Sequence, residues 1–206
     1  MAHLARAEPS PQKRRQILEG ARAAFGELGY ERASLDLVAA RAGVSKATIY
    51  NHFDDKRALF VACFSEEADG LREALCRSLG EPGGDLVASL EQVGRDLVRI
   101  LTSPAIVSLY RHTIAEVGRF PEVGETLFAR GPAAVYAAVA GWLERWGARG
   151  ALRLDDVRAA AVQFTMLCQG DLVVRAQLGV APPPTEDEVR DMVRRAVQAF
   201  VRAYAA

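Results

Sequence analysis

Apolar positions recur every three or four residues along almost the whole chain, the spacing of one face of a helix. Ile17, Ala21, Ala24, Phe25 and Leu28 mark a first helix over about residues 10–28, with Ser10 and Pro11 at its start and Gly29 at its end. Leu35, Val38, Ala39 and Ala42 mark a short second helix, and Val44 and Ile49 frame a third over about 46–52. A long fourth helix over about 56–79 carries Leu59, Phe60, Cys63, Phe64, Leu71 and Leu75, and the run at 80–84 (GEPGG) breaks the chain after it. Leu86, Leu90, Val93, Leu97 and Leu101 repeat in the next helix, and Pro104 opens another to about Val117. Phe120-Pro121 marks a turn before a segment ending near Arg130. Gly131-Pro132 either begins a new helix over 133–148 or kinks a longer one. Asp155 is the expected cap of a helix to about Leu178. Three prolines at 182–184 make a rigid connector, and Thr185 with Glu188 forms a capping box for a last helix to about Tyr204. Strand-like alternation and internal repeats do not occur, so the expected fold is all-α.

Residues 34–60 (SLDLVAARAGVSKATIYNHFDDKRALF) hold the most specific pattern. Ser34 can cap one short helix, Gly43 supplies the turn and Ser45 can cap the next, a helix-turn-helix arrangement whose second helix suits a major groove. Lys46, Ala47 and Thr48 occupy its first turn, where a docked helix meets base edges. An ammonium there can donate to guanine, and the alanine and threonine methyls can touch a thymine methyl. Tyr50, Asn51 and His52 can donate to phosphate oxygens, as can Lys56 at the start of the fourth helix. Tyr50, His52 or Phe53 taken singly also fits simple packing at a helix end; the ordered set points to DNA.

Charge adds a modest bias. The chain is formally neutral, with a pI near 6.8. Residues 1–60 carry ten basic side chains (Arg6, Lys13, Arg14, Arg15, Arg22, Arg32, Arg41, Lys46, Lys56, Arg57) against seven acidic ones (Glu8, Glu19, Glu27, Glu31, Asp36, Asp54, Asp55). A local basic face on a neutral protein suits a specific reader better than a coating protein. Residues 1–9 read as a disordered arm, in which Arg6 is more a solvated residue than a groove contact. Lys13, Arg14 and Arg15 form a basic cluster at the first helix start that is usually a solvated face. Cys63, Cys76 and Cys168 have no metal-ligand spacing and sit amid apolar residues, where inert thiols are the usual case. No apolar signal region or membrane-length apolar run is present, so a soluble, cytoplasmic protein is expected, without cofactor or metal.

The string AGVSKATIYNHF followed by DDKRALF resembles the DNA-binding signature of the TetR/AcrR family of bacterial transcriptional regulators, over roughly residues 10–60. Asp55 departs from it, since the family often has serine before the lysine; aspartate caps a helix equally well, but its carboxylate is unfavourable near phosphate. A second, less specific stretch, residues 109–156, resembles the ligand-binding and dimerisation domain of an AefR-like branch. The resemblance implies an arm at 1–9, a DNA-binding domain at 10–55 and a helical regulatory and dimerisation domain at 56–206. It also implies a homodimer formed by the last two long helices as a four-helix bundle. Val162, Met166, Val173, Val189, Val193, Val197 and Phe200 are the candidate seam, and the two recognition helices would meet a near-palindromic operator. Finally it implies a small-molecule pocket, for which Tyr110, His112, Phe120, Phe128, Trp142, Trp146, Phe164 and Gln169 are candidates. Aromatic residues at helical spacing are, however, more often core than ligand wall.

The expected function is therefore a ligand-responsive repressor, with the fourth helix as the lever between pocket and DNA reader. The alternative is a DNA-binding structural protein or regulator without an inducer, which needs the same helix-turn-helix and no pocket. A redox-sensing regulator needs reactive thiols. An enzyme is disfavoured: nucleophile elbow, phosphate loop, HExxH and clustered cysteines are all missing, and His3, His52 and His112 are scattered.

Overall fold

Side-chain caps set several of the helix boundaries. The computed structural model describes residues 10–80 and 83–206, without the side chains at 64, 67, 68, 71, 72 and 74. The expected arm at 1–9 with Arg6, the Glu81-Pro82 part of the break, and the side chains of Phe64 and Leu71 lie outside the described residues. Those residues form eleven helices and no strand: α1 (Pro11–Arg32), α2 (Leu35–Ala42), α3 (Lys46–His52), α4 (Lys56–Ser78), α5 (Leu86–Leu101), α6 (Pro104–Glu116), α7 (Pro121–Arg130), α8 (Pro132–Ala148), α9 (Val157–Gln169), α10 (Leu172–Leu178) and α11 (Glu186–Tyr204). Gly29 leaves helical geometry inside α1, so the expected end there is a kink followed by one more turn. At α11 the capping box is complete. The Thr185 amide donates to Glu188 Oε2 at 2.8 Å, and the Glu188 amide donates to Thr185 Oγ1 at 3.2 Å.

Two boundaries differ from expectation. Asp156, not Asp155, caps α9, its carboxylate accepting the Ala159 amide at 2.9 Å. The helix then stops at Gln169, where Gly170 takes φ 48° and ψ −131°, a backbone that side-chain-bearing residues rarely adopt, and α10 starts afresh. The single helix expected from 155 to 178 is thus two.

The chain folds as a helical head and a helical body joined through α4. In the head, Ile17, Leu18, Phe25 and Tyr30 of α1 pack with Val38, Ile49, Leu59 and Phe60. In the body, α11 lies against α5 and α9, with Phe164 and Phe200 in edge contact at 5.2 Å and both fully buried. Val173, Val189, Val193, Val197 and Phe200, expected at a subunit seam, are buried within this protomer. An apolar stripe on a helix records that it is covered, not whether the cover is its own chain. Of the seven seam candidates, half-buried Val162 and exposed Met166 face outward.

The cysteines also divide. Cys63 and Cys168 are buried, and burial pushes the Cys168 thiol up to about 12. Cys76 is exposed, contrary to the apolar setting expected for all three. A maleimide at mildly alkaline pH should therefore label one thiol of the native chain promptly and the other two only on unfolding, read by intact mass. Prompt labelling of Cys168 would contradict its burial.

Candidate nucleic-acid interface

The exposed side of α3 is built by what its buried side and its ends are doing. Gly43 closes α2 at φ 62°, ψ 35°, and the Val44 amide beyond it donates to the Ala39 carbonyl at 3.0 Å. This turn swings the chain so that Ile49, fully buried, anchors α3 on the head core. Lys46, Ala47, Tyr50 and Asn51 are then exposed together. Tyr50 keeps 46 % of its surface accessible.

The polar residues fall into two groups. Ser34 Oγ accepts the Leu37 amide and Ser45 Oγ accepts the Thr48 amide, each at 3.1 Å, so both serines cap the helices they were expected to cap. The Ser45 and Thr48 hydroxyls are also 2.8 Å apart. A serine hydroxyl that accepts from an amide retains its proton, so Ser34 can still donate to a phosphate. Lys46 is paired with Asp36 at 3.0 Å on an open surface, a contact weak enough to be exchanged for DNA. Asp55 caps α4, its carboxylate accepting the Ala58 amide at 2.7 Å, which fixes its orientation at the helix start.

Two of the expected phosphate donors are partly engaged within the protein. The Lys56 ammonium donates to the Glu31 carbonyl at 3.1 Å and lies 4.4 Å from the Tyr30 ring centroid. Burial lowers it below the usual lysine range. It fastens α4 to the end of α1 with one of its three protons, so any phosphate contact shares the ammonium with this docking. His52 is half-buried, with Nδ1 enclosed and without a hydrogen-bond partner among the described residues, so only part of its ring remains for a backbone contact.

A second feature lies in the body. A cavity of about 310 Å³ opens between α5, α6, α7, α8, α9 and α10. Of the pocket candidates it contains Tyr110, Gln169 and Phe128, and it adds Tyr136, Met166 and Gln177, which sequence reading missed or assigned elsewhere. Tyr136 stands in an alanine-rich run, and its size among small neighbours was the available signal. Trp142 and Trp146 are core residues in edge contact at 6.1 Å, and Phe164 is core against Phe200. His112 faces a different, smaller cavity with Arg22, Phe25 and Cys63, its Nδ1 2.7 Å from the Ser108 carbonyl oxygen. Phe120 packs on Tyr30 at 5.0 Å, joining body to head.

An all-helical chain whose head exposes a capped second helix after a glycine turn is a helix-turn-helix protein. The comparisons with known proteins agree and narrow the class. A family model described as the C-terminal domain of AefR-like transcriptional repressors matches residues 88–206, and one for bacterial regulatory proteins of the tetR family matches 17–63. The chain belongs to the TetR family of transcriptional regulators, in its AefR-like branch. A TetR-family regulator from Mesorhizobium loti superposes with a TM-score of 0.90 at 25 % identity, covering 96 % of this chain and 100 % of its own. The flavonoid-responsive regulator FrrA superposes with a TM-score of 0.78 at 29 % identity, covering 95 % and 98 %. An HTH-type transcriptional repressor of Mycobacterium tuberculosis is 40 % identical over 65 residues, 32 % of this chain and 35 % of its own length. The chain thus spans about a third of the length of that curated relative.

Proposed function

We propose that this protein binds a near-palindromic operator as a homodimer, represses the gene beside it, and is released when a small molecule enters the 310 Å³ cavity. The observation that carries the DNA reading is the α3 surface. Lys46, Ala47, Tyr50 and Asn51 stand exposed over an anchor, Ile49, that has no exposure. The reader then comprises residues 10–55, with 56–206 as the regulatory part, and Lys46, Ala47 and Thr48 address bases while Ser34, Tyr50 and Asn51 address phosphate.

Dimerisation is supported by apolar side chains left uncovered on one stretch of the body: Met166, Leu167 and Val174, each more than 40 % exposed, with half-buried Val162 beside them. A small-molecule effector is supported by the cavity and by the name of the flavonoid-responsive neighbour. The cavity is physically connected to the head through α6. Tyr110 lines it, and Arg111 donates to the Gln177 and Ala176 carbonyls at the end of α10. At the far end of α6, Arg119 pairs with Glu31, Phe120 packs on Tyr30, and Arg57 of α4 pairs with Glu122 at 3.0 Å. A ligand that binds better to one arrangement of α6 therefore biases the spacing of the two α3 helices.

The test is a titration of the purified chain onto DNA from immediately upstream of its own gene, beside scrambled DNA of equal length at one fixed salt concentration. A preference of about a thousandfold or more is expected. Tyr50→Ala should weaken binding roughly tenfold across operator variants alike, the mark of a phosphate contact. A change in sequence preference alone would make Tyr50 a base reader. Equal, weak, steeply salt-dependent binding to both DNAs would favour a non-specific DNA-binding protein.

A further inference from the structure

Among the described residues, the lining of the 310 Å³ cavity is uncharged: fourteen of them form it, and no Asp, Glu, Lys, Arg or His is among these. Cations next to lining residues in sequence are not among the fourteen and have other partners. Arg111 donates to carbonyls at 176 and 177, Arg130 pairs with Asp69 at 2.8 Å, and Arg175 pairs with Glu188 at 3.5 Å and Asp171 at 3.8 Å. An ion entering this space would lose its hydration without gaining a counter-charge from these fourteen residues.

The same lining is not purely apolar. It contains two phenols, Tyr110 and Tyr136, and two carboxamides, Gln169 and Gln177. Among the described residues none of these four side chains has a hydrogen-bond partner in the protein, whereas the nearby Thr165 hydroxyl is engaged with the Ala161 carbonyl at 2.8 Å. Partly enclosed polar groups left unpaired in an apolar wall are the elements that orient a ligand. Burial, reinforced by Tyr136, pushes the Tyr110 phenol up to about 12, so it stays a neutral donor at physiological pH. Phe128 and Met166 complete the wall with surfaces that favour contact with a flat ring. The volume is near the lower end of the ~300–1,000 Å³ usual for ligand pockets, enough for two or three rings.

We propose that the cavity receives an electrically neutral aromatic molecule with hydroxyl or carbonyl groups on its edge, held by Tyr110, Tyr136, Gln169 and Gln177, and that it rejects the ionised counterpart of the same skeleton. This rests on the reading of the cavity as the effector site.

Matched pairs test it by calorimetry on the full chain at neutral pH: 2-naphthol against 2-naphthoate, and 4-phenylphenol against biphenyl-4-carboxylate. At least one phenol should bind more than about tenfold tighter than its carboxylate, the cost of a small part of an uncompensated charge. Tyr110→Phe, which keeps the ring, and Gln169→Ala should each weaken that phenol roughly three- to tenfold, as for loss of one neutral hydrogen bond. Gln169→Lys should raise the affinity of the carboxylate. Equal binding of both members of each pair, tighter binding of the carboxylates, no binding of either phenol, or indifference to all three substitutions would overturn the proposal. Operator release is measured separately. Phenol binding in the cavity without release would keep the ligand chemistry and overturn the effector reading. Release by a carboxylate with both phenols silent would do the reverse.

Discussion

Phe200→Ala should lower the stability of the chain by about 3–5 kcal/mol, the usual loss when a fully buried phenylalanine leaves a cavity. For a chain of this size, roughly 2–4 °C of Tm per kcal/mol converts this to a fall of about 6–20 °C. The reason is local: the ring has no exposure, meets Phe164 edge-on at 5.2 Å and lies 4.7 Å from the Tyr204 ring. Truncation therefore removes contacts on two sides within one protomer. Leu167→Glu is the complementary substitution. Leu167 is 41 % exposed and does not line the cavity, so a carboxylate there costs the fold little but cannot be buried unpaired at a subunit interface. Sedimentation should show Phe200→Ala as a dimer of low Tm and Leu167→Glu as a shift toward monomer. If Phe200→Ala instead gave a stable monomer, the residue would belong to the seam after all.

Ala47→Glu should reduce operator affinity about a hundredfold while leaving the melting curve unchanged. Ala47 is exposed in the first turn of α3, between Lys46 and Thr48, so the new side chain displaces nothing. An acidic residue in a first turn is favourable to the helix itself. Against DNA the same carboxylate faces phosphates and base acceptors, where like-charge contact costs several kcal/mol and each 1.4 kcal/mol is about tenfold. The check is a binding isotherm on the operator fragment beside circular dichroism of the variant. Unchanged affinity in a folded variant would move the reading surface away from α3.

These two residues also show where sequence reading reaches and where it stops. The head was largely legible because its signals are short-range. Ser34, Ser45 and Asp55 each cap a helix through an amide three residues on, and Gly43 supplies its own positive φ. The exposed set on α3 follows from the same local geometry once Ile49 is buried. The docking contacts of Lys56 are not legible in the sequence, because its partners, the Tyr30 ring and the Glu31 carbonyl, are some 25 residues away and reach it only after α4 docks on α1.

In the body the helix periods were readable and their partners were not. The stripe on α11 (Val189, Val193, Val197, Phe200) is equally apolar whether it meets α5 and α9 or a second subunit, and packing within the chain took it. Trp142, Trp146 and Phe164 had the composition of a ligand wall but entered the core, while Tyr136 and Gln177, unremarked in a string of alanines and at a helix end, came to line the cavity. Caps, turns and apolar periods are properties of a few consecutive residues, so the order of residues alone sets them. Which face meets which, and where a space is left between six helices, depends on side chains brought together from residues 97 to 177. That choice is made by close packing among whole helices, which no local stretch of sequence encodes.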